Sequence, residues 1–373
     1  TWVLTSATFI GERANEGDPV PDGPTLTIEP GTRIIGTKAG RVALVVSRGS
    51  RLIADGLPHA PIVMTGEFYE DTGASSTDWG GLVINGAAPL NTCDAELCEA
   101  DSEGGAGFYG GIDPHDSSGV LRYLRVQFAG DSITDEDQLN GIAFNGVGDG
   151  TVVDYVQVHR NADDGIEFFG GTVNAKHIVL TDIEDDSVDW TQGWVGHLQY
   201  VLVRQSPNED IDADYGMELD NLSGNFDALP RSGGIMANFT ILGKPGRTGI
   251  LARRGTAGNF SNFIVAGFDN CLDIDDEATF TAAGSPGNPT GVLTFQNTIF
   301  DCGNAFVEEE GDPWSVADFF NQWESNLVGD SMLDGVFPAE DADYGSGFPL
   351  DRTYYDASFF EQVDYIGAFR SKE

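Results

Sequence analysis

Basic residues are scarce in this chain. Its 373 residues include 19 lysines and arginines against 60 aspartates and glutamates, which gives a formal net charge of −41. Such a charge repels phosphate backbones and anionic headgroups, and so argues against binding to nucleic acid or to a membrane surface. No stretch reaches the roughly 20 apolar residues that a membrane-spanning helix needs. The hydrophobic share is still 40%, with 23 phenylalanines, so we expect a folded protein with a large core.

The motifs of several common enzyme classes are also missing. Neither GxSxG nor GxxxxGK[ST] occurs, and the five histidines show neither HxH nor HExxH spacing. The sequence therefore carries no signature of a serine hydrolase, a phosphate-binding loop or a histidine-based zinc site.

Cysteine is rare, with four residues in the whole chain. Cys93 and Cys98 have four residues between them, a spacing that suits a small disulfide loop, whereas zinc sites use tighter pairs with a second pair nearby. Four cysteines allow three pairings, of which we favour Cys93 with Cys98 and Cys271 with Cys302. Such bridges indicate an oxidising compartment, so we expect an extracellular or cell-surface protein.

A short motif recurs along the chain: a small or turn residue, an apolar residue, and then commonly a carboxylate. The apolar members, here called the anchors, are 22 to 34 residues apart. A period near 22 residues with insertions is typical of the coils of a parallel β-solenoid. The anchors are Ile142, Ile166, Val188, Met217, Ile250, Leu272 and Phe306.

A second strand precedes most anchors by ten to twelve residues, so each coil has at least two strands. An antiparallel sandwich also has short strands at such intervals, but it does not predict one motif in the same register seven times. We therefore predict an all-β fold, a parallel β-helix over residues 24–310. Residues 1–23 are expected to form an N-terminal cap and residues 311–373 a C-terminal cap.

The C-terminal cap contains one predicted helix, residues 315–328. Ser315 is its expected N-cap, and Gly329 is expected to end it. The apolar stripe of this helix is predicted to close the open end of the solenoid.

Acidic residues recur at the coil period. Asp163, Asp164 and Glu167 are followed 22 residues later by Asp185, Asp186 and Asp189. Neighbouring strands lie ~4.8 Å apart, so carboxylates in register face each other, and their repulsion must be neutralised. Calcium takes six to eight oxygen ligands and does this well. We predict a Ca²⁺ site, structural or functional, formed by Asp163, Asp164, Glu167, Asp185, Asp186, Asp189 and Glu218.

Two other interpretations of these acids remain open. Arg253 and Arg254 are placed to pair with the flanking carboxylates, which then need no metal and are otherwise solvated. Alternatively, two of the carboxylates form a hydrolase pair roughly 5–10 Å apart.

Aromatic residues near the acids suggest contact with sugar rings. We name Phe169, Trp190, Trp194 and Tyr215 as candidate ligand contacts, with packing inside the turns as the alternative.

Longer stretches of the chain have a recognisable pattern. PTLTIEPGTRIIG (24–36), DWGGLVINGAAPLN (78–91), NADDGIEFFGGTVNAKH (161–177) and VDYIGAF (363–369) resemble a family of secreted bacterial right-handed parallel β-helix proteins. Members are described as surface lipoproteins or exported proteins with a pectate-lyase-like fold. The resemblance covers nearly the whole chain and implies this fold and export, but no particular activity.

Two functions are compatible with this sequence. One is a non-catalytic surface protein: an adhesin, a glycan binder or a structural subunit that self-associates through its solenoid ends. The other is a calcium-dependent polysaccharide lyase or a glycoside hydrolase. The sequence offers many carboxylates but no clear base, because arginine is a poor one. It therefore favours the non-catalytic protein.

Overall fold

Two long parallel sheets account for most of the regular structure. The computed structural model describes residues 1–38, 42–70, 74–131, 138–288, 291–342 and 357–372. In both sheets each strand pairs in parallel with strands of the preceding and following coils. This arrangement is a parallel β-helix, as the sequence predicts.

The larger sheet consists, within the described residues, of β1 (Trp2–Leu4), β3 (Thr25–Ile28), β4 (Arg33–Gly36), β6 (Arg51–Asp55), β7 (Ile62–Gly66), β11 (Gly119–Ala129), β13 (Val152–Asn161), β15 (Asn174–Thr181), β17 (His197–Arg204), β19 (Ile235–Leu242), β21 (Gly258–Ala266), β23 (Leu293–Gln296), β24 (Ile299–Asp301) and β26 (Leu327–Val328). The smaller sheet consists of β2 (Thr8–Ile10), β5 (Ala43–Val46), β8 (Gly81–Asn85), β12 (Ile142–Asn145), β14 (Ile166–Phe169), β16 (Val188–Thr191), β18 (Met217–Asp220), β20 (Thr248–Arg253), β22 (Asn270–Ile274) and β25 (Asn304–Phe306). Two antiparallel pairs lie outside these sheets, β9 (Ala100–Asp101) with β10 (Phe108–Tyr109) and β27 (Leu333–Asp334) with β28 (Phe337–Pro338). The short helices are a 3₁₀ turn (Glu103–Gly105), α1 (Glu277–Ala283) and α2 (Val316–Phe320).

The long strands of the larger sheet share a bend at a residue in the left-handed region. In β13 this residue is Tyr155, with φ of 54°, and the pairing with β15 skips it, continuing from Asp154 to Val156. A positive φ is uncommon for residues other than glycine, so the repetition of this corner coil after coil is a structural feature of the solenoid. Each central coil therefore has three strand segments, consistent with the expectation of at least two. The corner residues are Tyr123, Tyr155, His177, Tyr200, Asn238 and Asn262.

The predicted ladder of anchors is confirmed. All seven occupy one register of the smaller sheet, each paired with the next from Ile142 through Phe306. Six of them are buried, and Phe306 is half-buried. The ladder continues toward the N-terminus through Leu82 and Leu44. Insertions between the coils change the spacing of the anchors in sequence but not their register in space.

The helix near the C-terminus is shorter than predicted. Ser315 is its N-cap, as expected, with Oγ accepting a hydrogen bond from the Asp318 backbone N–H. However, α2 ends at Phe320, because the Asn326 side chain donates to the Phe320 carbonyl and the following Leu327 pairs with Ile299 in the larger sheet. The helix expected over 315–328 is therefore wrong in its length.

A short helix lies against the last coils of the solenoid, and two strands begin its sheets. Phe320 of α2 is fully buried and stacks on Phe300 with ring centroids 4.2 Å apart, so the short helix covers the last coils. At the other end, β1 and β2 pair with β4 and β5. The segment 1–23, expected as a cap, therefore supplies the first rungs of both sheets.

Two disulfides join the pairs expected from the sequence. Cys93 is bonded to Cys98, and Cys271 to Cys302. The first closes a loop outside the smaller sheet, and the second joins consecutive coils. Within the described residues, no helix has both the length and the apolar character to cross a membrane.

Candidate functional site

The predicted acidic residues come together on the outer side of the smaller sheet. Glu167, Asp189 and Glu218 each follow an anchor and pair in register from β14 to β16 to β18. Asp164 and Asp186 lie in the turns just before β14 and β16. The coil period thus places the acids of the turns beside the acids of the strands. We call Asp163, Asp164, Glu167, Asp185, Asp186, Asp189 and Glu218 the acid column.

Three overlapping groups make up the acid column. In each group, one carboxylate oxygen from every member lies within 4.8 Å of the others. The groups share residues, and Asp189 belongs to two of them. Oxygens that bind one Ca²⁺ at about 2.3–2.6 Å are separated by no more than about 5 Å, so each group has suitable dimensions for a cation. The groups are Asp163–Asp164–Asp185, Asp164–Glu167–Asp189 and Asp186–Asp189–Glu218.

The acid column is more enclosed than the sequence suggests. Outward-facing residues of a solenoid are expected in solvent, yet Glu167 is only 8% exposed and Asp164 only 6%. The reason is an insertion after β8 that folds back over the smaller sheet, where its Tyr109 packs in a cluster with Phe169. This covering loop carries the Cys93–Cys98 disulfide.

Hydrogen bonds from the protein satisfy part of the acid column. The Asp186 backbone N–H donates to Asp164 Oδ1 at 3.1 Å, and the Tyr215 N–H donates to Asp186 Oδ1 at 2.6 Å. Asp189 Oδ1 is enclosed and finds no hydrogen-bond partner among the described residues. An enclosed carboxylate oxygen without a donor is costly unless a proton or a cation compensates it.

Two residues at this site were not identified from the sequence. The Asn140 amide donates to Glu167 Oε2 at 2.7 Å and to Glu103 Oε2, on the covering loop, at 3.1 Å. Asn140 stands two residues before the anchor Ile142, as Asp164 stands before Ile166. This equivalent position in the repeat was the available signal. Glu103 lies in an insertion and has no such signal.

Arginines neutralise one end of the acid column. The Arg253 guanidinium pairs with Glu218 and, through Nε, with Asp220 Oδ1 at 2.9 Å. Arg254 reaches Asp220 Oδ2 at 2.7 Å. The pairing considered from the sequence is therefore present. The pairing does not extend along the rest of the acid column. Within the described part of the chain, no salt bridge to lysine or arginine involves Asp164, Glu167 or Asp186.

Burial raises the pKa of the carboxyls in the column. The pKa values of Asp164, Glu167, Asp186 and Asp189 lie well above their ordinary range, first because of burial and then because of neighbouring carboxylates. Glu218 is raised to about 7 by burial, although Arg253 opposes the rise. Without a cation, burial and mutual repulsion therefore favour the protonated form of these carboxyls.

The aromatic residues named from the sequence do not form a sugar platform. Trp190 and Trp194 are fully buried, with ring centroids 5.2 Å apart, and Phe169 is 9% exposed beneath the covering loop. The expectation that these three contact a glycan is therefore wrong. Trp190 lies two residues after an anchor and so points into the coil, as the strand period requires. Tyr215 is half-buried, and its backbone contributes to the column.

Comparison with known proteins identifies a family but no specific activity. No curated protein and no solved structure matches the chain. A family model described as a pectate-lyase-like β-helix domain matches residues 17–329, which is most of the chain. With its parallel sheets and its in-register ladder, the chain belongs to the family of pectate-lyase-like β-helix domains.

Proposed function

We propose that this protein is a non-catalytic extracellular β-helix protein, an adhesin, glycan binder or structural subunit, whose acid column holds Ca²⁺. The observation that carries the calcium assignment is the overlap of three carboxylate groups of suitable dimensions. Two of these groups share Asp189, whose Oδ1 is enclosed without a hydrogen-bond donor among the described residues. The two disulfides support an oxidising compartment.

The acid column fits a hard cation by several criteria. Carboxylate oxygens are the ligands that calcium prefers, and side chains from several coils supply them at one place. Arg253 and Arg254 serve only the end near Asp220, so the charge near Asp164 and Glu167 requires protons or a cation. A bound cation there would tie the coils of Asp164, Asp186 and Glu218 together.

Enclosure of the acid column supports a structural role over a catalytic one. Hydrolysis by a carboxylate pair requires that substrate reach both groups. Here the covering loop encloses Glu167, and Asp164 is almost completely buried. Arg253, the nearest candidate base for a lyase, is already engaged by Glu218 and Asp220. A lyase or hydrolase is the alternative function, and an assay for polysaccharide ends released by the protein distinguishes it from a non-catalytic role.

Calorimetric titration of the EDTA-treated protein with calcium at pH 7.5 tests the proposal. We expect saturable binding together with a rise in Tm, since a ligand at about 1,000 times its Kd stabilises the native state by about 4 kcal/mol. Asp189→Asn should abolish most of this response, because Asp189 belongs to two groups. The matched control is Glu324→Gln, an exposed acid outside the column, which should respond like the wild type.

Three results would argue against the proposal. Equal calcium responses in the wild type and Asp189→Asn would show that calcium binds outside the acid column. No calcium response at all would leave the column neutralised by protons and arginine alone. Release of unsaturated or reducing ends from polysaccharides incubated with calcium-loaded protein would contradict the non-catalytic assignment.

A further inference from the structure

A row of stacked rings lies on the outer surface of the larger sheet, away from the acid column. Tyr123, Tyr155, His177 and Tyr200 occupy the corner position of four consecutive coils. Their ring centroids are 4.7, 4.1 and 4.9 Å apart, with interplanar angles of 20° or less. We call these four residues the ring ladder. Tyr155 is the most exposed of them, at 42%.

The ring ladder was not predicted from the sequence, although its sequence signal is regular. Each ring immediately precedes an inward apolar residue of the same register: Leu124, Val156, Ile178 and Val201. In the next two coils the corner residues are Asn238 and Asn262, and the C-terminal segment covers them, since the Asn238 amide donates to the Tyr365 carbonyl. The C-terminal segment also reaches Tyr200, which is 8% exposed and donates to Glu361 Oε2 at 3.3 Å. The ladder is thus open at Tyr123, Tyr155 and His177 and covered from Tyr200 onward.

A groove runs beside the ring ladder along the axis of the solenoid. Two adjoining cavities of about 400 and 250 Å³ share Tyr155, His177 and Val179 in their linings. Pro58 and Pro61 line the cavity of about 250 Å³, and Tyr365 lines the cavity of about 400 Å³. The walls combine apolar side chains with hydrogen-bonding groups, the mixture typical of sites for amphipathic ligands.

The direction of the groove restricts the ligand. It crosses β11, β13, β15 and β17, and each of these strands is paired on both sides. An extended peptide binds to a sheet by adding a strand at a free edge, and this groove offers no such edge. A ligand here must instead be recognised by side chains repeated at the strand spacing of ~4.8 Å, which suits a polymer of regular units.

The polar groups of the groove indicate a hydroxyl-rich ligand. Arg125 and Gln157 occupy equivalent positions two residues after the rings in β11 and β13. Arg125 is exposed and forms no salt bridge within the described residues, although acids outnumber basic residues threefold in the chain. His177 is held by Asp154, whose Oδ1 lies 2.7 Å from Nδ1. A lipid chain would leave these donors without partners.

We propose that the groove beside the ring ladder binds a glycan chain lying along the solenoid axis. Sugar C–H faces pack against Val179 and the rings, while hydroxyl or acidic groups accept hydrogen bonds from Arg125 and Gln157. This inference rests on the proposed non-catalytic binding role and gives that role a location. It does not depend on calcium in the acid column.

The test begins with the calcium-loaded full chain on an array of neutral, uronate and sulfated oligosaccharides. A bound oligosaccharide is then titrated calorimetrically as a series of increasing length, and we expect affinity to rise with length until the open part of the ring ladder is spanned. Tyr155→Ala and Arg125→Ala should each weaken binding about tenfold. The matched controls are Val152→Ala, exposed on the same strand, and Arg204→Ala, an exposed arginine outside the groove, which should bind within about twofold of wild type. If Tyr155→Ala fails to fold, Gln157→Ala replaces it.

The possible failures are distinguishable. Glycan binding that is insensitive to the Tyr155, Arg125 and Gln157 substitutions would overturn the groove but leave a glycan-binding role at another surface. Absence of binding across the whole array would overturn both the groove and the glycan-binding role. Binding of peptides in place of glycans at the same side chains would also overturn this inference.

Discussion

Replacing Glu218 by glutamine should stabilise the metal-free protein at neutral pH. Burial raises the pKa of this carboxyl from 4.5 to about 7, so the folded state holds its proton more tightly than the unfolded chain. The resulting stabilisation is fully present below about pH 4.5 and is lost as the pH rises through about 7. The side chain is only 15% exposed, so solvent screens it little.

The size of the effect follows from the same pKa values. A rise from 4.5 to about 7 corresponds to about 3 kcal/mol of unfavourable free energy when the group is ionised in the folded state. In EDTA at pH 7.5, Glu218→Gln should therefore raise the free energy of unfolding by up to about 3 kcal/mol. At about pH 3.5, below both pKa values, the glutamate is mostly protonated in both states, and the variant should match the wild type closely.

Urea unfolding at the two pH values, followed by circular dichroism, measures this difference. The exposed Glu324→Gln is the control and should change stability little at either pH. If Glu218→Gln is less stable than wild type at pH 7.5 in EDTA, the carboxylate is net favourable there, and the argument from burial is refuted.

Four further variants test other parts of the structure. Arg253→Ala removes the cation that pairs with both Glu218 and Asp220 and should cost about 2 kcal/mol in EDTA at pH 7.5; calcium should recover part of this loss, and an unchanged Tm would contradict the role of the arginine. The double variant Cys271→Ser/Cys302→Ser removes a disulfide that closes a loop of 31 residues and should lower the free energy of unfolding by about 4 kcal/mol, whereas Cys93→Ser/Cys98→Ser removes one that closes a loop of 5 residues and should lower it by about 2 kcal/mol. The reverse order in urea unfolding would contradict the argument from chain entropy. Phe320→Ala removes a fully buried ring stacked on Phe300 and should cost about 3–5 kcal/mol, while a cost below 1 kcal/mol would show that α2 does not close the core.

The fold is predictable from this sequence because the solenoid repeats one short pattern. Every anchor from Ile142 to Phe306 repeats at the coil period or at that period plus an insertion, and pairing in register follows directly. The same arithmetic places Glu167 beside Asp189. Both disulfide pairs were also predictable, since the spacing of Cys93 and Cys98 suits a short loop and leaves Cys271 and Cys302 for each other.

What escaped prediction depends on segments that do not repeat. The covering loop is an insertion, so nothing in the coil period indicates that it encloses Glu167 or brings Glu103 to Asn140. Trp190 was misassigned because its inward direction depends on counting residues from the anchor, whereas proximity to acids suggested a surface position. The C-terminal helix was overextended because the apolar Leu327 continues the stripe in sequence but pairs with the sheet in space.

A crystal structure grown with calcium would show whether the acid column of this parallel β-helix binds the cation. We expect density with calcium's anomalous signal at about 2.3–2.6 Å from carboxylate oxygens of Asp164, Glu167 and Asp189, or of Asp186, Asp189 and Glu218. Carboxyl groups that pair with each other through shared protons, with no cation between them at saturating calcium, would contradict the claim.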